Sequence, residues 1–193
     1  MKLTHDDFMV QNDYVDDVVK NPYDYSEEEI FFLGYFFKPM RRQIFNSLLI
    51  KCAKQGNVQD FIDSLTIEGV YSEYIDSVHE SKDDFMKLVV ALFLEPEILG
   101  EWFEDEDKMV DAVINTEKYP LNTKLFVFSK LSVFDIEDET LEKIKNVSIP
   151  LIEKDEDLKK SLTKEQLESL KKDFLNNINH NHDAVKLELS LKE

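Results

Sequence analysis

Four glycines and five prolines are scattered through 193 residues, and this scarcity limits the fold more than any other feature. Tight connections between short strands use glycine and proline repeatedly, glycine because it alone reaches positive φ without strain. A chain with so few of both builds long elements joined by few turns, which favours helices. The apolar residues agree, recurring at spacings of three and four along most of the chain.

Helix starts are also written in the sequence. Ser26-Glu27-Glu28-Glu29 reads as a capping box ahead of the apolar run from Ile30. Pro39 suits the first turn of a second helix, whose stripe is Met40, Ile44, Phe45, Leu48, Leu49 and Cys52 and whose stop is Gly56. Asn57 caps a short helix, and 69–80 forms another. Ser81 to Asp84 is a second capping box, opening a helix through Phe85, Leu88 and Leu92. Pro96 breaks it and starts the next, which carries Trp102 and Phe103. The acids at 104–107 interrupt that pattern, because Glu106 falls where the stripe wants an apolar residue. Met109, Val110, Val113 and Ile114 resume it. The stretch KLFVF alone reads as a strand, but no nearby turn supplies a partner, so 121–131 is predicted helical. Helices over 140–152 and from a third capping box, Thr163 to Gln166, complete the set.

The expected fold is therefore all-α, with eight or nine helices in an irregular helical-repeat or a globular bundle arrangement. No repeated sequence signature separates these two. The organisation predicted is an acidic, aromatic-containing segment at 1–25, a helical domain at 26–180 and a tail at 181–193. In that tail Val185, Leu187, Leu189 and Leu191 alternate strictly, which fits a short C-terminal strand as well as a frayed end.

Several chemistries lack their residues. Phosphate-cradling loops and the hydrolase elbow need clustered glycines, and Gly34, Gly56, Gly69 and Gly100 stand apart. His79-Glu80 has Asp83 where a zinc protease needs its second histidine. Calcium-loop spacing fails after Asp105 and again after Asp155. The pair His182-Asp183 matches the dipeptide of HD-type metal phosphohydrolases. It lies in Asn-rich sequence read here as a helix terminus and turn, and a metal site needs a packed second shell. Cys52 continues an apolar stripe and reads as a small buried hydrophobe, not a nucleophile. No catalytic residue, metal ligand or cofactor is assigned.

Charge is the informative feature. Acids outnumber bases 41 to 23, a net charge of −18 that disfavours direct binding to nucleic acid or anionic membrane. Residues 1–29 carry −7, residues 30–56 carry +5 with no acid, and residues 57–80 carry −6. The basic segment holds Lys38, Arg41, Arg42, Lys51 and Lys54, including the only two arginines. Arginine makes planar bidentate pairs that lysine does not, so two adjacent arginines imply a geometric demand, met inside the chain or by a partner. A second charged cluster comprises Glu101, Glu104, Asp105, Glu106 and Asp107.

These readings predict a non-catalytic binding or regulatory protein working through a charged helical surface. Its partner is another protein, either acidic and facing the basic helix or basic and facing the acidic faces. The acids and tyrosines of HDDFMVQNDYVDDVVKNPYDYSEEE also suit an alternative, a nucleic-acid mimic that occupies the basic channel of a nuclease or DNA-binding protein. A metal-dependent phosphohydrolase using His182 and Asp183 is the second alternative. One cysteine and no apolar leader point to the cytoplasm, with the nucleus as the alternative compartment. No apolar run reaches the ~18 residues of a membrane span.

Overall fold

The computed structural model describes residues 14–36, 40–55, 75–76, 78–93 and 95–192. They form ten helices and no strand, so the fold is all-α among the described residues. The chain divides into two compact units, Met1–Lys87 and Leu88–Glu193.

In the first unit, helix α1 (14–20) buries Val15 and Val18, a three-residue spacing that gives it one apolar side. A short 3₁₀ turn at Pro22–Asp24 leads to α2 (Glu27–Phe36). Its start is the expected capping box: Glu29 N–H donates to Ser26 Oγ at 3.2 Å, and Ser26 N–H donates to Glu29 Oε2 at 2.8 Å. Helix α3 (Arg41–Gln55) runs back antiparallel to α2, placing Phe45 against Phe31 and Gly34, and Lys51 against Glu27. Its buried stripe is Ile44, Phe45, Leu48, Leu49 and Cys52, as the spacing requires. The features predicted at Pro39, Gly56, Asn57 and most of 69–80 lie outside the described residues.

Helix α4 (Asp84–Phe93) spans the boundary between the units. The cap expected from Ser81 comes instead from Asp83, whose Oδ1 accepts from Met86 N–H at 3.1 Å, while Ser81 Oγ accepts from Asp83 N–H at 2.8 Å. Both side chains compete for the same orphan amides, and the residue immediately before the helix wins.

The second unit continues through a 3₁₀ turn at Pro96–Ile98, α5 (Leu99–Trp102), α6 (Glu106–Ile114), α7 (Leu121–Leu131), α8 (Asp138–Lys154), α9 (Glu156–Ser161) and α10 (Lys164–Ser190). Helix α8 packs on α6, α7 and α10. Its Leu141, Ile144 and Ile152 meet a core that includes Val110 and Val113 of α6 and Val127, Phe128 and Leu131 of α7. The segment KLFVF is helical, as the lack of a partner strand implies. The capping box at Thr163–Gln166 is present, with Thr163 N–H donating to Gln166 Oε1 at 2.8 Å and Gln166 N–H to Thr163 Oγ1 at 3.2 Å.

The end of the chain departs from expectation. Residues 181–190 are neither strand nor frayed tail but the last turns of α10. Alternation alone does not choose strand over helix when no second edge supplies hydrogen bonds, whereas a helix satisfies its backbone within itself. Lys186 adds an anchor through an ion pair with Asp138, and Glu188 pairs with Lys192 one turn on at 2.6 Å. Read at helical period, Val185 and Leu189 share one side, and Leu187 and Leu191 lie on the opposite side.

Candidate functional site

Of the two bases of the basic segment whose side chains are described, Lys51 does not point outward as its charge implies. Lys51 is 5% exposed, donates to the Tyr25 carbonyl oxygen and lies 3.7 Å from Glu27, so it ties α3 to the start of α2. A lysine reaches such a place by burying its aliphatic stem and offering the ammonium to a carbonyl that would otherwise lack a partner. Arg42 is half-buried and engaged within the chain. Lys38 lies outside the described residues, as do the side chains of Arg41 and Lys54.

The acidic cluster of the second unit has internal work for most of its members. Asp105 is the N-cap of α6, accepting from Lys108 N–H at 2.8 Å. Glu104 pairs with Lys108, whose ammonium is held charged above its usual range by that contact. Glu106 accepts from Glu137 N–H at 3.0 Å, which explains a carboxylate on the inner stripe. Asp107 pairs with Lys143 at 2.8 Å, and Asp111 joins the same ammonium at 3.1 Å. Glu101 alone of the five is exposed with no partner among the described residues.

His182 and Asp183 open the last third of α10, within the helix and not at a terminus or turn. His182 is 3% exposed, with Nε2 2.9 Å from Asp138 Oδ1, while Asp183 is exposed. Lys186 joins Asp138 from the next turn. These two contacts, Lys186 first, lower the Asp138 carboxyl to about 2. The signal for His182 was its place one turn after Ile178 on the buried side. Among the described residues, no group of three or more His, Cys, Asp or Glu is arranged to hold a metal ion. A shallow groove of about 450 Å³ between α8 and α10 is floored by Ile149 and Leu175. Its Lys171 is paired with Glu153 at 2.8 Å and Glu168 at 2.6 Å, contacts that raise its pKa and hold it charged.

An open, acid-rich surface remains at the start of the first unit. Tyr14 is 41% and Tyr23 46% exposed, and on the same stretch Asp16, Asp17 and Asp24 also face solvent. The carboxylates of Asp16 and Asp24 make no hydrogen bond or ion pair among the described residues. Asp17 is the brace of this surface. It accepts from the Tyr25 phenol and from Asn21 Nδ2 at 2.9 Å, so its pKa is lowered, first by Tyr25. The same contact pushes the Tyr25 phenol up to about 12. Tyr25 in turn meets the Tyr14 ring edge to face, with centroids 5.5 Å apart. The stretch that holds these residues stands out in the sequence, yet which of its acids and rings reach solvent depends on α1 burying only Val15 and Val18.

Comparison with protein-family models, with curated proteins and with solved structures returns no match. The class that stands is an all-α protein, and among the described residues no helix is long and apolar enough to cross a membrane.

Proposed function

We propose that the chain is a non-catalytic binding protein that engages a basic macromolecule through the acid and tyrosine surface of 14–29. The observation that carries this reading is the exposure of Tyr14 and Tyr23 among solvent-facing Asp16, Asp17 and Asp24. Amphipathic rings give contact area at low conformational cost, and surrounding carboxylates steer a cationic partner. The basic segment supports the opposite polarity less well, because Lys51 is buried and Arg42 is engaged within the chain.

Where the partner is itself a nucleic-acid-binding protein, the carboxylates stand in for phosphates and the rings for bases. The reading is tested by immobilising the full chain and comparing it with a variant carrying Asp16→Asn, Tyr23→Ala and Asp24→Asn. Wild type should retain basic proteins from cells of the source, the variant should retain far less, and duplex DNA should compete if the surface acts as a mimic. Equal capture by the two chains contradicts the proposal.

A further inference from the structure

Among the described residues of the second unit, five large apolar side chains are left exposed: Phe126, Val133, Leu187, Leu189 and Leu191. They form two groups. Phe126, 41% exposed, stacks on Phe93 with ring centroids 5.4 Å apart and planes within 5°. One turn along α7, Lys130 holds its ammonium 5.3 Å from the centroid of Phe93 and 5.8 Å from that of Phe134. Val133, 40% exposed, extends the same side. No carboxylate pairs with Lys130 among the described residues, in a chain that carries 41 acids. Ring faces attract a cation without neutralising it. The patch is therefore an aromatic floor with one uncompensated positive charge, and it fits apolar side chains that flank a carboxylate.

The end of α10 offers that combination. Leu187 and Leu191, 62% and 78% exposed, share one side a turn apart, with Glu188 beside them. Glu188 is tied only to Lys192, and both side chains are about two-thirds exposed, at 69% and 66%. Such a surface pair is worth little and exchanges readily.

This end of α10 does not reach the Phe126 end of the patch in its own copy. Ser129 Oγ donates to Asn177 Oδ1 at 2.6 Å, and Asn181 Nδ2 donates to Ser132 Oγ at 3.0 Å, so α7 and α10 run parallel. Phe126 then lies near the level of residue 174, and Leu187 is displaced by roughly 20 Å at 1.5 Å per residue. We propose that two copies of the chain exchange these features. The end of α10 of each copy lies on the Phe126 patch of the other, Leu187 and Leu191 over the rings and Glu188 against Lys130. Because both groups belong to one unit, a twofold arrangement makes the contact twice.

Two copies of −18 repel each other, so the association should tighten as salt rises, the reverse of binding to a basic partner. Sedimentation equilibrium of the full chain should show a dimer whose fraction grows with protein concentration and from about 0.05 M to about 0.5 M salt. Leu187→Ser with Leu191→Ser should weaken it at least about tenfold. Lys130→Glu alone should also weaken it, and Lys130→Glu with Glu188→Lys in one chain should restore it, a rescue that misfolding does not produce. A monomer at every concentration and salt overturns the proposal. So does a dimer indifferent to the leucine substitutions or a charge swap without rescue.

Discussion

Lys51 and Asp138 illustrate the two ways in which charge is used at single positions. The Lys51 ammonium donates to the Tyr25 carbonyl oxygen from a site 5% exposed. Lys51→Ala removes a charge-assisted bond and the packed stem together and should destabilise the fold by about 2 kcal/mol. Lys51→Met keeps the stem and should fall between wild type and alanine, read as urea midpoints at constant slope. Asp138 is mostly exposed but holds Lys186 and His182, and its folded pKa is depressed to about 2 from 3.8. A depressed carboxyl pKa gives stability that is present above 3.8 and lost as pH falls through about 2. The gap in unfolding midpoint between wild type and Asp138→Asn should accordingly be widest near neutral pH, close between those values and shrink with added salt. A gap that persists below pH 2 would contradict the contact.

At the scale of elements, α2 and α3 depend on Gly34. A methyl carbon there would stand 2.8 Å from Phe45 Cδ1, and Phe45 is fully buried against Phe31. Gly34→Ala should therefore destabilise by about 1–2 kcal/mol despite alanine's better helix propensity, as measured by thermal unfolding. A variant as stable as wild type would show that Phe45 has room to move. Most helices were legible in the sequence, since capping at Ser26 and Thr163 and the stripe through Ile44 to Cys52 are local properties. What was not legible depends on tertiary partners. The alternation of Val185 to Leu191 fits a strand or a helix equally until a neighbour is known, and Asp138 supplied the anchor that sequence does not display. Glu106 looked like a defect in an apolar stripe until Glu137 N–H was found to need an acceptor.

For the molecule as a whole, 41 acids against 23 bases give any association a long-range electrostatic component. Several charges of the candidate surfaces read from sequence also serve the chain's own helices. Lys51 is internal, and Glu104, Asp105, Glu106 and Asp107 serve caps and ion pairs of the second unit. Asp16 and Asp24 are open acids on the same stretch as the exposed rings of Tyr14 and Tyr23. The most direct measurement is the affinity of the full chain for a purified captured partner over a series of salt concentrations. An acid and tyrosine docking surface predicts affinity that falls steeply as salt rises, with a shallower slope for the Asp16→Asn, Tyr23→Ala, Asp24→Asn variant. Affinity that is flat or rising with salt, or identical in the two chains, would contradict it.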